Sequence, residues 1–344
     1  MTSPHPVKWY IPRSRDKKFN PMTPFEPPPF LRNAHTQTII NSIKLRRPLI
    51  HRRARGMLNV ATSHILDCGA GVRLMGWYSP QKKNPSDLCI LIHGWEGDAT
   101  SSYLVSAAGY LWNHGFSIFR LNLRDHGPTH HLNPALFHAC RIQEVIGAVK
   151  RIQELFPHRR LLLSGFSLGG NFALRVGLHA KQAGIHIDRI AAICPVLNPD
   201  HTITALETGF SLYHWHFMLK WQRSLRKKHY YFPELVDLNE ISQFKNIRAL
   251  TDYFVPRYTE YPNAGAYLYG YAVVGRRLAD LQIPATIIIS RDDPIIPAAD
   301  LKDLARPRCL AIEKQPYGGH CGFIQDMALN SWANQRMGEL FSAG

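Results

Sequence analysis

A chain of 344 residues with 45% hydrophobic and 19% charged residues has a globular composition, which excludes wholesale disorder. It is long enough for one large α/β domain with insertions or for two smaller domains. Net charge is +16 and unevenly placed: residues 1–55 hold twelve Lys and Arg against only Asp16 and Glu26, and a second basic stretch fills 220–228. Such clusters meet nucleic acid, an anionic membrane leaflet, or simply water. No zinc-finger or RNP sequence accompanies the charge, so nucleic acid is not expected, and an anionic membrane surface is the better specific partner. No run approaches ~18 apolar residues, and the opening MTSPHPVKWYIPRSRDKK has no apolar core, so neither a spanning helix nor a secretory signal is expected.

Residues 1–56 form an arm rich in proline and arginine around Pro27-Pro28-Pro29. Proline fixes φ and removes backbone donors, which predicts an extended segment packed on a core rather than a helix. The pattern changes at residue 57. Strands are predicted at 59–67 and 72–79 around Gly69-Ala70-Gly71, and at Leu88–Ile92, whose continuous apolar run marks a strand covered on both faces. A helix at 101–114 and a strand at Ser117–Leu123 follow. Residues 137–156 place Ile142, Val145, Ile146, Val149, Ile152 and Phe156 at helical spacing. Then come a strand at Arg160–Phe166, a helix at 168–183 and a strand at Arg189–Val196. After an interruption the chain resumes with a strand at 285–290, a helix near 298–305, a strand at 309–314 and a helix at 325–341. This alternation predicts a mostly parallel central sheet with helices on both faces, within one domain spanning 57–344. The interruption at 197–284, rich in Trp, Tyr, Phe and His, reads as a helical lid or cap inserted into that domain.

The six cysteines show no C-x-x-C pair and no zinc-like spacing. Cys89 and Cys194 sit in strand-like runs, as reduced core residues do. A reducing, cytoplasmic location is therefore expected, with peripheral contact to the inner face of the membrane as a corollary of the basic arm.

Gly165-Phe-Ser-Leu-Gly169 lies where a strand passes into a helix. There, glycines two residues either side of a serine allow a turn sharp enough to leave the Ser167 hydroxyl exposed above the sheet. A serine needs a base, and the base an orienting acid, each just beyond a later strand. His320, flanked by Gly318, Gly319 and Gly322, is the candidate base, while Asp292 and Asp293 compete for the acid. The oxyanion donors would be the backbone N–H groups of Leu168 and of Trp95 in His93-Gly-Trp-Glu-Gly97. His130-His131 and His214-Trp-His216 lack i, i+4 ligand spacing, so no metal or cofactor is expected.

Together these motifs resemble the α/β-hydrolase superfamily and, more narrowly, the AB hydrolase 4 (YheT-like) family. The resemblance runs from Pro27-Pro-Pro-Phe-Leu-Arg-Asn-Ala-His-Thr-Gln-Thr-Ile39 through HGWEG, Arg120-Leu-Asn-Leu-Arg-Asp-His-Gly127, GFSLGGN, Val255-Pro-Arg-Tyr-Thr259 and DDPIIP to GGHCGF. It implies Ser167 as nucleophile, Asp293 as acid and His320 as base, with carboxylic-ester hydrolysis as the reaction. Arg124-Asp-His-Gly127 departs from the Arg-Gly-Cys-type turn of many relatives, which bears on pocket shape. The leading expectation is a serine esterase or lipase acting on a small-molecule or lipid ester through an acyl-enzyme. An acyltransferase using the same intermediate and a non-catalytic lipid- or protein-binding module are the alternatives. A dinucleotide enzyme is set aside, because GFSLGGN lacks the G-x-G-x-x-G spacing.

Overall fold

The computed structural model describes residues 25–42, 46–83 and 85–343. Its eight strands are β1 (Thr62–Asp67), β2 (Arg73–Ser79), β3 (Ser86–Ile92), β4 (Ser117–Asn122), β5 (His158–Phe166), β6 (Ile187–Ile193), β7 (Ala285–Ser290) and β8 (Leu310–Gln315). They form one sheet in the order β1-β2-β4-β3-β5-β6-β7-β8. β1 and β2 pair as an antiparallel hairpin and β2 runs antiparallel to β4; every pair from β4 to β8 is parallel. β3, β4 and β7 are buried at every position, as strands covered on both faces are, with apolar runs such as Leu88–Ile92 and Ile287–Ile289 at their centres and the polar Arg120 and Asn122 buried in β4. β4 lies on one side of β3 and β5 on the other, so the order reverses at β3. The crevice beyond the carboxyl ends of β3 and β5 is therefore a topological switch point.

Among the described residues, helices α1 (Ala34–Ser42) and α2 (Arg47–Arg53) lie in the arm and α3 (Arg55–Asn59) straddles its end. They contradict the extended arm predicted from proline content. Among the described residues before them, Phe25–Pro28 have no regular structure, with Pro28 itself extended, and a 3₁₀ turn, Pro29–Leu31, follows. Between Pro29 and residue 60 the sole proline is Pro48, in the first turn of α2, where a missing N–H costs no hydrogen bond. Ile50, Ala54 and Met57 are buried in the core on the face that also holds α4 (Ser102–Asn113). Phe25 reaches the same layer, its ring against Phe323 and Trp332 at 5.6 and 5.7 Å. The arm is thus part of the core layer, and its first 24 residues lie outside the described residues.

α5 (Ile142–Leu155) and α6 (Leu168–Ala183) cover the opposite face, with Val145, Val149, Phe172 and Val176 in its core. α5 starts five residues later than predicted, because Phe137–Arg141 is a loop closed by Arg141 N–H to the His138 carbonyl. Between β6 and β7 the chain forms α7 (Pro199–Thr208), α8 (Ser211–Tyr231), α9 (Leu238–Ser242), α10 (Ile247–Tyr258) and α11 (Ala264–Tyr271). Four of these begin at Asx residues: Asn198, Asp237, Asn246 and Asn263 each accept an amide of the first turn at 2.7–3.2 Å. The predicted helix near 298–305 is a 3₁₀ segment, Ala298–Asp303. The last, α12 (Trp332–Ser342), starts at 332 because Asp326 and Asn330 close a turn across 326–330. No helix among the described residues is long and apolar enough to cross a membrane. All six cysteines are free thiols.

Candidate active site

Ser167 stands between the end of β5 and the first residue of α6 with φ +53° and ψ −118°. This is a costly conformation for a residue with a side chain, of order 1–3 kcal/mol. The surrounding chain enforces it: Ser167 N–H donates to the Ile193 carbonyl at 2.8 Å, and the Ser167 carbonyl accepts from Asn171 and Val196 N–H. The glycines are needed for close approach. A Cβ on Gly169 would lie 2.3 Å from the Ile92 carbonyl oxygen, and one on Gly165 would lie 2.1 Å from that of Gly169. Glu96, Asp125, Cys194 and Cys321, in the loops around the serine, also have positive φ.

His320 lies beyond β8 and Asp293 beyond β7. His320 Nδ1 donates to Asp293 Oδ2 at 2.9 Å. Asp293 Oδ1 accepts from the N–H groups of Ile295 and Ile296, both at 2.9 Å, which fixes the carboxylate while its other oxygen faces the imidazole. Asp292 is turned elsewhere and accepts from Gly319 N–H at 2.9 Å. The Asp293 side chain is fully buried and that of His320 is 10% exposed. Burial alone works against a charged imidazole, yet the Asp293 carboxylate, joined by the adjacent Cys321 sulfur, outweighs it and raises His320 well above the ordinary histidine range. The histidine loop and the serine elbow meet at the end of β6. The Cys321 thiol points at the same Ile193 carbonyl, at 3.8 Å, that Ser167 N–H uses.

The loop after β3 carries Trp95. Gly94 N–H donates to Tyr103 Oη (2.9 Å), Glu96 N–H to His126 Nε2 (3.1 Å) and Gly97 N–H to the Gly94 carbonyl (3.0 Å). The Trp95 N–H between them has no acceptor among the described residues. The Leu168 N–H is the first of α6, where helix geometry supplies no intrahelical acceptor. Two buried imidazoles hold this loop to the one after β4. His93 Nε2 accepts from Leu123 N–H at 3.1 Å while its Nδ1 donates to the Gly94 carbonyl. His126 does the converse, accepting from Glu96 N–H and donating to the Arg124 carbonyl at 2.6 Å. The rings lie 4.8 Å apart. Burial lowers His93 to about 4 and His126 well below the usual value, so both are neutral, as these acceptor roles demand.

Ser167, Leu168 and Trp95 line one cavity, whose other walls are mostly apolar, with Phe137, Val196, Leu206, Trp221, Phe254 and Ile295 among them and His138, Thr202 and Thr251 as polar exceptions. α7, α8, α10 and α11 form its roof. Trp95 stacks on Phe217 of α8, with ring centroids 5.3 Å apart. The basic stretch 220–228, read as a face for an anionic surface, partly turns inward. Lys220 Nζ donates to the Glu96 carbonyl (2.9 Å) and Ser224 Oγ to that of Asp125 (3.2 Å). Lys228, fully buried, pairs with Asp125 Oδ1 at 2.7 Å and also donates to the carbonyls of His130, Asn133 and Ala135. Arg223 and Arg226 remain exposed.

Sequence spacing pointed to no metal ligands, but the fold gathers Cys194, His320 and Cys321, whose donor atoms lie within 4.8 Å of one another. Two thiols and an imidazole are a soft donor set of the kind zinc takes. Here His320 Nδ1 is engaged by Asp293. Residues that sequence reading did not single out include Tyr103, His126 and Lys228, along with Gln37, Thr38 and Asn41 of α1, which bond the loop carrying His320. The Asn-Ala-His-Thr-Gln-Thr segment of the arm was the one signal for the last group.

Comparison with known proteins gives these features a family. YheT of Escherichia coli K12 is 23% identical over 334 residues, covering 94% of this chain and 93% of its own. A mouse phospholipase, ABHD3, is 23% identical over 242 residues. That match covers 69% of this chain, which spans only 58% of the phospholipase's length. The esterase Pf2001 of Pyrococcus furiosus shares the fold, with a TM-score of 0.54 at 15% identity over 82% of this chain and 92% of its own. The model of the alpha/beta hydrolase family matches residues 89–330, and the chain belongs to that family as a YheT-like member.

Proposed function

We propose that the protein is a serine hydrolase of carboxylic esters, an esterase or lipase in type, that takes apolar acyl groups. The observation that carries this reading is the 2.9 Å His320–Asp293 hydrogen bond, in a loop that shares the Ile193 carbonyl with the strained Ser167 elbow. Ester-hydrolase and phospholipase names among proteins of similar sequence or fold support the chemistry. The apolar cavity beside Ser167 supports the acyl preference.

In this reading the Ser167 hydroxyl attacks the ester carbonyl as His320 Nε2 takes its proton. Asp293 holds Nδ1–H and stabilises the imidazolium. The carbonyl oxygen, now negative, is met by the N–H groups of Leu168 and Trp95 at the positive end of α6. Collapse expels the alcohol, protonated by His320, and leaves an acyl-serine. Water, deprotonated by the same histidine, then releases the acid. The test is labelling by a fluorescent fluorophosphonate, with a panel of p-nitrophenyl acyl esters alongside. Wild type should label and hydrolyse, and Ser167→Ala should do neither while keeping its circular dichroism. Undiminished labelling or turnover in that variant would remove Ser167 from the role.

A further inference from the structure

The arm helix α1 lies so close to the loop carrying His320 that two glycines of that loop have no room for a side chain. A Cβ on Gly319 would fall 2.3 Å from the Ala34 carbonyl oxygen and 2.6 Å from Thr38 Oγ1; one on Gly322 would fall 2.7 Å from the Gln37 carbonyl oxygen. Across this contact α1 supplies the loop with hydrogen bonds. His320 N–H donates to Thr38 Oγ1 at 2.9 Å, and Thr38 Oγ1 donates in turn to the Ala34 carbonyl at 2.8 Å. Asn41 Nδ2 donates to the Cys321 carbonyl at 2.6 Å and is oriented by Arg46, which donates to Asn41 Oδ1. The Gln37 amide pairs with Ile324 in both directions, accepting from its N–H at 2.7 Å and donating to its carbonyl at 2.9 Å. Gln37, Thr38 and Asn41 are all buried.

The opposite side of the loop is held by the acid-bearing turn. Asp292 accepts from Gly319 N–H, and Ser290 Oγ donates to the Gly319 carbonyl. The peptide on which the imidazole hangs therefore has two supports, β7 through Gly319 and α1 from His320 onward. Cys321, the next residue, is at φ +61°, a conformation that is costly for a residue with a side chain.

We propose that α1 is a positioning element for the catalytic histidine, with Thr38 as its central positioning residue. Rigid placement of the His320 backbone by Thr38 sets the imidazole so that one nitrogen stays on Asp293 while the other addresses Ser167. The basic arm thereby acts inside the active site, whatever its surface does. The proposal rests on the Ser167–Asp293–His320 reading and extends it.

The test uses the full chain and compares wild type, Thr38→Val, Thr38→Ser and Ser167→Ala. It measures kcat and KM on the p-nitrophenyl ester that wild type turns over fastest, the rate of fluorophosphonate labelling, and the thermal midpoint. Valine matches threonine in shape but offers His320 N–H no acceptor; serine restores one. Misplacement of a reacting group by about 1 Å costs up to ~100-fold in rate. Thr38→Val should accordingly lose roughly 10- to 100-fold in kcat and labelling rate with KM nearly unchanged, and Thr38→Ser should recover most of it. A folded Thr38→Val with wild-type kcat would overturn the proposal, as would a Thr38→Ser no better than Thr38→Val at equal stability. Should Thr38→Val not fold, Asn41→Ser, which frees the Cys321 carbonyl, carries the same expectation. The serine variant separates the two layers of argument. If Ser167→Ala is dead and Thr38→Val is normal, only the positioning role fails; if Ser167→Ala is active, both fail.

Discussion

Replacing His126 by leucine probes the exchange of imidazoles that fixes the Trp95 amide. In the folded protein His126 accepts from Glu96 N–H at 3.1 Å and donates to the Arg124 carbonyl at 2.6 Å, with its ring buried beside His93. Leucine fills similar space but orphans one buried donor and one buried acceptor, each worth about 1–3 kcal/mol when left unpaired. Thermal stability should fall, but catalysis should fall for a separate reason. Glu96 N–H belongs to the peptide unit next to the one that carries the Trp95 N–H, so its release loosens that amide through its neighbour. Complete loss of one oxyanion donor costs ~10²–10³ in kcat; loosening without removal should cost about 10- to 100-fold, expressed in kcat more than KM. Glutamine is the informative control. Its Oε1 can accept from Glu96 N–H while its Nε2 donates to the Arg124 carbonyl, so His126→Gln should regain most of the rate. The assay is steady-state ester hydrolysis beside a thermal melt of each variant. A folded His126→Leu with kcat within a factor of about two of wild type would refute the reasoning, as the Trp95 amide would then need no such support.

Asp293→Asn removes the charge that raises His320 and should cost on the order of 10⁴ in kcat, the loss found when the acid of a Ser-His-Asp triad is neutralised. Asp292→Asn keeps an acceptor for Gly319 N–H and should cost less than about 10-fold; a larger loss for Asp292→Asn would reverse the two roles. Because Asp293 raises His320, and the base must be neutral to act, the acid limb of kcat/KM should lie above the ordinary histidine pKa of about 6.5. A limb below it would contradict the assignment. Lys228→Met strands the buried Asp125 carboxylate and should destabilise by roughly 3–5 kcal/mol, partly restored by adding Asp125→Asn; chemical denaturation of the four-variant cycle decides it. Burial lowers His93 to about 4 and His130 and His138 to about 3, so between those values and about 6.5 the unfolded chain binds protons that the folded chain refuses. Stability should therefore fall as pH drops through that window, against the opposite contribution of His320, whose stabilisation is full at low pH and lost as pH rises through its raised pKa. A thermal midpoint unchanged between pH 7 and pH 4.5 would count against the buried neutral histidines.

What the sequence made legible was local. The glycines around Ser167 announce an elbow because the collisions they avoid, 2.1 and 2.3 Å for an added Cβ, involve backbone fixed by the strand and helix themselves. The apolar runs gave the sheet for the same reason: burial on two faces leaves consecutive apolar residues at the centres of β3 and β7, Leu88–Ile92 and Ile287–Ile289. Adjacent Asp292 and Asp293 could not be separated on residue type, since only the turn that commits Asp293 Oδ1 to Ile295 and Ile296 decides which carboxylate faces the imidazole. The arm misled because proline content was averaged over 56 residues, although the prolines cluster before residue 30 and leave the rest free to form helices. In 220–228 the charge sum concealed a helical pattern: Lys220, Ser224 and Lys228 recur at intervals of four and hold the loops after β3 and β4, while Arg223 and Arg226 take the exposed side.

The proposed reacting groups sit in short motifs, because a sharp turn or a close approach restricts residue choice on the spot. Their supports do not, because a hydrogen bond from His320 N–H to Thr38 constrains two residues 282 positions apart and leaves no pattern in either neighbourhood. For such a site, a search by motif finds the chemistry and misses the parts that hold it in register. Those parts are α1, the His93–His126 exchange and the inward lysines of α8. Variants there should separate rate from binding, because on the proposed mechanism none of these residues supplies a reacting atom, whereas substitution of Ser167 or His320 should remove the reacting groups themselves.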